Sequence, residues 1–181
     1  SNEALASLLC SGLPRLRCVS LFRVKGLNAA ALATVIVGRS LACLNVSECE
    51  LTYAQITGLL TAIVAPTLRQ LRVSYPKGAS GDTSRAALSA LCSVVELAPL
   101  SHLSASGWTI GDADFSTLCE SIGKNSCLKT LSLYSCSFGL SGLEALRRAL
   151  SQHSELRALR VDTSQNIDAV APAVVGLVGE H

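Results

Sequence analysis

Aromatic and charged side chains are both scarce in this chain of 181 residues. Phe, Trp and Tyr together make up 4% of the sequence, so any hydrophobic core has to be built from aliphatic side chains. Charged residues make up 15% of the sequence, which is low compared with the roughly 25% of typical soluble domains. Apolar residues reach 49%, so we expect a chain in which most elements bury one side.

Concentrated charge is also absent, because no run of lysine or arginine occurs and the formal net charge is only +2. Proteins that bind nucleic acid usually carry a strong basic patch, so the sequence predicts no nucleic acid partner. No apolar run reaches the ~18 residues that a membrane-spanning helix needs. The apolar segment Ala4–Cys10 lacks the basic start and the clear cleavage site of a signal peptide. We therefore expect no contact with a membrane.

Motifs of catalysis and of phosphate binding are missing as well. The sequence contains no G-x-S-x-G nucleophile motif and no G-x-x-x-x-G-K-[ST] phosphate loop. Cys18, Cys43 and His102 could begin a zinc site, but a fourth ligand is missing and the histidine is predicted to lie two strands from Cys43. Asp112 and Asp114 fall at a predicted helix start, where the helix dipole and capping explain them. The sequence therefore predicts no enzyme, no cofactor and no metal site.

Eight cysteines are present, but no C-x-x-C motif occurs among them. An aliphatic core of this size stabilises a fold without disulfides, so we expect free thiols. Free thiols predict a reducing, intracellular compartment, either the cytoplasm or the nucleus. Cys92 and Cys119 lie beside helix core positions and are expected to be small buried hydrophobic residues.

An apolar pattern of the form L-x-x-L-x-L recurs six times, and each copy opens one unit of the chain. Its first, fourth and sixth places are held by Leu16/Val19/Leu21, Leu41/Leu44/Val46, Leu68/Leu71/Val73, Leu100/Leu103/Ala105, Leu128/Leu131/Leu133 and Leu156/Leu159/Val161. Successive starts are 25, 27, 32, 28 and 28 residues apart. Spacings of about 20 to 50 residues are typical of repeat architectures.

The clearest unit is Leu128–Leu150, which combines a short buried strand, a tight turn and an amphipathic helix. Apolar residues also recur eighteen and twenty-two places after the unit start, at Leu59/Ile63, Leu118/Ile122 and Leu146/Leu150. A strand and a helix leave two open flanks, so one unit cannot bury its apolar side alone. We therefore expect the units to stack side by side.

The form L-x-x-L-x-L-x-x-C-x-[LF], found in the second and fifth units, resembles the leucine-rich repeat family of the ribonuclease-inhibitor type. The resemblance covers roughly residues 10 to 181. It implies an α/β solenoid of about six repeats, with a curved parallel sheet on the concave side and helices on the convex side. It also implies that Cys49 and Cys136, at the cysteine place, point into the turn, and that the chain serves as a protein-binding platform.

The whole chain, 1–181, is expected to be a single leucine-rich repeat domain, with repeats starting near 16, 41, 68, 100, 128 and 156. Residues 1–12 resemble the helix of a partial repeat, and a last helix is expected from about Ile167. Neither end shows the polar capping unit that a solenoid needs. We therefore expect a fragment of a larger protein.

The third unit contains an insertion, YPKGASGDTS at 75–84, which is rich in glycine, serine and proline. We expect a loop there before a helix at about 83–97, with Asp82 or Thr83 as its N-cap. The loop is either a harmless bulge or a binding loop at the strand's exit. In the second unit, the helix is expected to end near Pro66.

Residues between the apolar places are predicted to form three rows on the uncovered face of the sheet, because side chains alternate along a strand. The rows are Cys18/Cys43/Gln70/His102/Thr130/Ala158, Ser20/Asn45/Arg72/Ser104/Ser132/Arg160 and Phe22/Ser47/Ser74/Ser106/Tyr134/Asp162. Aromatic residues and arginine dominate interface energies. The candidate partner-binding residues are therefore Phe22, Arg72, Tyr75, Tyr134 and Arg160, together with Trp108, which either wedges between units or faces a partner.

These observations predict a non-catalytic protein–protein interaction module or scaffold, which binds a protein through the concave sheet face and adjacent loops. A first alternative follows from a resemblance of some such repeats to GTPase-activating proteins, for which Arg23 or Lys25 would be the candidates. A second alternative is a structural module that associates with itself through its apolar cut ends.

Overall fold

The chain alternates short strands with helices and forms one parallel sheet. The computed structural model describes residues 15–78, 81–151 and 153–161. The predicted helices at 1–12 and from about Ile167 lie outside the described residues. The strands are β1 (Cys18–Ser20), β2 (Cys43–Asn45), β3 (Gln70–Arg72), β4 (His102–Ser104), β5 (Thr130–Leu133) and β6 (Ala158–Val161). They pair in chain order and every pair is parallel, which confirms the predicted α/β class.

A helix connects each pair of neighbouring strands, and between the second and third strands a short 3-10 turn at Ala65–Thr67 follows the helix. The helices are α1 (Ala29–Ile36), α2 (Tyr53–Ala62), α3 (Asp82–Leu97), α4 (Asp112–Lys124) and α5 (Leu140–Leu150). Each helix contacts the next one along the chain, so the helices form a layer that follows the strand order. Helix α2 ends at Ala62, earlier than its predicted end near Pro66. Pro66 lies in the separate 3-10 turn that follows.

The core lies between the helices and one face of the sheet. The central leucines of four neighbouring strands are all buried, at Leu44, Leu71, Leu103 and Leu131. Leu131 is paired with Leu159 of β6, which is partly buried against the same aliphatic cluster. The predicted apolar places of the sequence therefore face the core, and their neighbours along each strand face the other way.

The backbone turns the same way after each of the first five strands. The residue seven places after the unit start has a positive φ in all five units: Arg23 (57°), Glu48 (57°), Tyr75 (61°), Gly107 (72°) and Ser135 (54°). This left-handed conformation costs roughly 1–2 kcal/mol for a residue other than glycine. Four of the five units have a residue other than glycine at this position, so packing around the turn must offset the cost.

A hydrogen bond one residue later explains why the turn is favoured. The thiols of Cys49 and Cys136 are buried and donate to the carbonyls of Leu21 (2.8 Å) and Ala105 (3.2 Å) in the preceding unit. Both cysteines therefore point into the turn, as expected. A buried carbonyl without a partner would cost about 1–3 kcal/mol, so the donor at this place stabilises the junction between units.

Trp108 makes the same contact from the fourth unit. Its indole Nε1–H donates to the carbonyl of Val73 at 2.7 Å, and its ring meets that of Tyr53 edge to face at 5.5 Å. The side chain is only 1% exposed. The expectation that Trp108 faces a partner is therefore wrong, because the indole fills the space between two units and replaces the smaller thiol as donor.

The helix of the third unit begins one residue earlier than the predicted caps require. Gly81 precedes α3, and its N–H donates to the Ser84 hydroxyl at 2.8 Å. Asp82 is already the first helical residue, so neither Asp82 nor Thr83 is the N-cap. The Ser84 hydroxyl also donates to the Gly81 carbonyl at 2.7 Å, so this serine ties the first turn to Gly81, which has no side chain to cap the helix itself.

The two aspartates at the start of α4 connect this helix to its neighbours, which the sequence did not predict. The Asp112 carboxylate accepts from the N–H of Gly139 at 2.6 Å and from the Ser141 hydroxyl, both at the start of α5. Asp114 lies 3.7 Å from the guanidinium of Arg85 in α3. The hydrogen bonds from Gly139 and then from Ser141 hold the pKa of Asp112 below its ordinary value.

Replacing Leu131 with alanine should destabilise the chain by about 2–5 kcal/mol, because it opens a cavity in the fully buried core. The same substitution at Leu97, which is 69% exposed, is the matched control and should change the free energy of unfolding by less than about 0.5 kcal/mol. Urea unfolding of both variants measures the difference. Equal effects at the two positions would contradict the assignment of the core.

Replacing Asp112 with asparagine should destabilise the chain at pH 7 and have less effect in acid. The pKa of Asp112 is lowered by folding, so its carboxylate stabilises the fold above the unfolded value of about 3.9 and this contribution is lost as the pH falls through the folded value. Urea unfolding at neutral and acidic pH should show the two proteins converging. A gap that stays constant would contradict this role, and Glu120→Gln, on the exposed side of the same helix, controls for lost charge.

Candidate functional site

The uncovered face of the sheet carries the two polar rows that the sequence predicts. Residues Cys18, Cys43, Gln70, His102, Thr130 and Ala158 are in register across the six strands, and so are Ser20, Asn45, Arg72, Ser104, Ser132 and Arg160. We call these two rows the polar sheet face. None of these side chains is fully buried, so the face is open to a partner.

A depression of about 330 Å³ lies where the strands leave the polar sheet face. Its lining, which defines the exit depression, is Phe22, Asn45, Ser47, Glu48, Arg72, Ser74, Tyr75, Ser104, Ser106, Ser132, Tyr134 and Arg160. Five of the six predicted partner-binding residues are among them. Residues from all six units thus converge on one surface, although they are spread from 22 to 160 in the sequence.

Three exposed aromatic rings surround the exit depression. Phe22 is 52% exposed, Tyr75 40% and Tyr134 48%. The guanidinium of Arg23 lies 4.8 Å from the centre of the Phe22 ring, a distance at which a cation and an aromatic ring attract each other. Large rings that remain this exposed in a chain with few aromatic residues are candidate anchors for a partner.

The ring of Tyr75 packs over the backbone of Gly107 in the next unit. A Cβ atom at Gly107 would lie 2.3 Å from Cδ1 of Tyr75, well inside any real contact distance. Gly107 also has a φ of 72°, which glycine adopts without steric cost. The absence of a side chain therefore lets the tyrosine lie over the backbone beside the depression.

The floor of the exit depression is a chain of serines that is less accessible than the sequence suggests. Ser47, Ser74 and Ser106 are buried. Each hydroxyl accepts from the backbone N–H of the next unit, at Ser74 (3.4 Å), Ser106 (3.2 Å) and Tyr134 (3.1 Å) respectively. The third predicted row therefore combines the exposed rings of Phe22 and Tyr134 with three buried serines, because a small hydroxyl satisfies the backbone between units where the strands end. Its last predicted member, Asp162, lies outside the described residues.

Two arginines give the exit depression a positive charge. Arg72 and Arg160 occupy the same polar row three strands apart, which corresponds to about 14 Å. Among the residues that the structure describes, neither has a carboxylate partner. Glu48, the acidic residue of the depression, is already paired with Arg23 at 2.6 Å. An acidic group on a partner would therefore meet two available guanidinium groups.

The candidates for a GTPase-activating role lie beside the depression rather than in it. The guanidinium of Arg23 is engaged by Glu48 and lies over the Phe22 ring. Lys25 is exposed on the following turn, and its charge acts on Glu50. An arginine that supplies charge to a bound nucleotide has to leave such contacts first, and nothing in this arrangement favours that.

The thiols of the polar sheet face are poorly suited to chemistry. Cys18 and Cys43 are in register on β1 and β2. Burial, followed by the hydrogen bond and charge of Cys18, raises the pKa of Cys43 to about 11, although Arg72 opposes the shift. His102 lies two strands from Cys43, and its Nδ1 is 2.8 Å from the Ser101 hydroxyl. No cluster of three metal-ligating side chains occurs in the described part of the chain.

Comparisons with known proteins leave the chain without an assigned family. No protein-family model matches it, and no curated protein shows significant similarity to it. Within the described residues, every helix is too short or too polar to cross a bilayer. The exit depression is therefore the feature from which we infer a function.

Replacing Gly107 with alanine should destabilise the chain by about 1–3 kcal/mol, because the new Cβ requires a strained backbone and displaces the Tyr75 ring. The matched control is Gly58→Ala inside α2, where nothing lies within 4 Å of the new Cβ. That change should stabilise the chain by up to about 1 kcal/mol, because alanine favours a helix. Thermal unfolding measures both, and a stabilised Gly107→Ala variant would contradict the packing described.

Proposed function

We propose that this chain is a non-catalytic protein-binding module whose partner docks in the exit depression. One observation carries the proposal: Phe22, Arg72, Tyr75, Tyr134 and Arg160 are far apart in sequence but line a single depression. Exposed aromatic rings and arginines without carboxylate partners are the residues that contribute most to protein interfaces. Their convergence on one surface favours a binding role over an incidental distribution.

We further propose that the units form a leucine-rich repeat solenoid of the ribonuclease-inhibitor type, with the polar sheet face as its concave side. Three features support this class. The strands are in register in chain order, and the turn after each of the first five strands has a left-handed residue at the same position. In the second, fourth and fifth units, a thiol or indole eight residues after the unit start donates to the preceding unit. The seven cysteines of the described part are free, which is compatible with an intracellular setting.

The structure of the depression suggests how such a module gains affinity. Its floor is fixed by hydrogen bonds between serine hydroxyls and the backbone, and by contacts between Ser74 and Ser104 (2.9 Å) and between Ser106 and Ser132 (3.1 Å). A surface that is already ordered loses little conformational entropy on binding. Modest polar contacts around three aromatic anchors are then sufficient for a specific complex.

The double substitution Tyr134→Ala and Arg72→Ala should weaken binding of the partner by about tenfold or more, because it removes a ring and a charge that line the depression. Proteins retained by the immobilised chain would be purified and titrated against the variant. Both positions are exposed, so the thermal midpoint should stay within a few degrees of the unsubstituted chain.

The control for this test is a matched pair on the helix layer, Leu140→Ala and Arg148→Ala. Leu140 is 60% exposed at the start of α5, and Arg148 is exposed near its end. This variant should bind the partner with unchanged affinity. If the helix-layer variant loses binding and the depression variant does not, the partner docks on the helices and the proposal fails.

A further inference from the structure

A second surface emerges at the opposite edge of the sheet, where the strands begin. The residues directly after each unit start lie in one row, and the backbone N–H of each donates to the carbonyl of the previous residue in the row at 2.7–2.9 Å. We call this the strand-entry row, and it consists of Arg17, Ala42, Arg69, Ser101, Lys129 and Arg157. Four of its six residues are cations, and successive cations are at least 28 residues apart in sequence.

The geometry of the strand-entry row is regular. Neighbouring strands lie about 4.8 Å apart, so Arg17 and Arg69 are separated by about 10 Å, Arg69 and Lys129 by about 10 Å, and Lys129 and Arg157 by about 5 Å. The whole row extends over about 24 Å. All four cationic residues are exposed. Folding therefore assembles a basic stripe that no stretch of the sequence contains.

The charges of the row are largely uncompensated. Arg17 and Lys129 have no carboxylate partner in the part of the chain that the structure describes. The Arg69 guanidinium donates to the carbonyls of Pro66 and Leu68, at 3.2 Å each, so it keeps its full charge. Arg157 reaches Glu155 only at 3.9 Å.

Helix dipoles do not account for the row. Cations are favoured at the carboxyl end of a helix, and Lys124 and Arg147 already occupy that position in α4 and α5. Those two are paired with Glu96 at 2.9 Å and Glu144 at 2.7 Å. The row residues lie on the strand side of the following loops, and among the described residues only Arg157 faces a carboxylate, that of Glu155 at 3.9 Å.

We propose that the strand-entry row binds an acidic, extended segment of a partner protein. An extended chain advances about 3.3 Å per residue, so a carboxylate at every third position repeats at about 10 Å, which matches the spacing of the row. About seven such residues span the stripe. The row is separate from the exit depression, so this proposal does not depend on the function proposed for that site.

The composition of the surroundings favours an acidic protein over a nucleic acid. Proteins that bind single strands combine cations with aromatic rings on which bases stack. The exposed rings Phe22, Tyr75 and Tyr134 all lie at the exit end of the strands, and the strand-entry row itself has none. An acidic peptide needs only the charge and the spacing that the row provides.

The decisive experiment compares two matched substitutions, Lys129→Glu in the row and Lys25→Glu at the exit end. Poly-L-glutamate is titrated at low salt, with an oligothymidylate of equal charge as the second probe. Lys129→Glu should weaken poly-L-glutamate binding about tenfold and reduce its salt dependence, because it places a reversed charge between Arg69 and Arg157 in the stripe. Lys25→Glu makes the same change in net charge and should alter binding less than about threefold.

Three outcomes would overturn the proposal. These are no binding of poly-L-glutamate by the unsubstituted chain, an equal loss of binding in both variants, or tighter binding of the oligothymidylate with the same dependence on Lys129. The last outcome would assign the row to nucleic acid. Should Lys129→Glu not fold, as judged by its thermal midpoint, Arg17→Glu at the end of the row is the substitute variant and is expected to weaken binding in the same direction.

Discussion

The in-register stacking of short parallel strands is the constraint on which the rest of the structure depends. Each strand is only three or four residues long, and its central apolar side chain is buried only if a neighbour lies on each side. A register shift by one residue would turn the core side chains of that strand outward. The pairing of Leu44, Leu71, Leu103 and Leu131 therefore fixes where every other side chain of the sheet is placed.

The same register explains why both candidate surfaces exist. It places residues from six units in straight rows, so that side chains with 25 or more residues between them become neighbours. The left-handed residue after each of the first five strands, and the donor eight residues after the unit start in three units, then hold successive turns against one another. These turns fix part of the exit depression, because Tyr75 is itself a left-handed residue and Ser106 directly precedes another, Gly107.

Parallel strands also determine at which end of the sheet the charged residues lie. Asp82, Asp112 and Asp114 begin helices near the strand exits, where the amino ends of helices favour negative charge. These carboxylates are engaged by Arg85, Gly139 or Ser141. The strand entries carry cations without comparable partners, so the charge that remains available in the described residues is mostly positive. Arg72 and Arg160 are likewise available at the exit depression, so the small net charge of the sequence conceals two basic surfaces.

The sequence by itself determined the number and spacing of the units, the parallel α/β architecture and the inward places of each strand, because burial imposes a period on the chain. Those places also predicted five residues of the exit depression and the turn positions of Cys49 and Cys136. Only the tertiary structure decided that Trp108 is buried, that Ser47, Ser74 and Ser106 form a floor, and that cations align at the strand entries. Periodicity reports which side of its own element a residue occupies, whereas these outcomes depend on the size, charge and hydrogen-bonding groups of the adjacent unit.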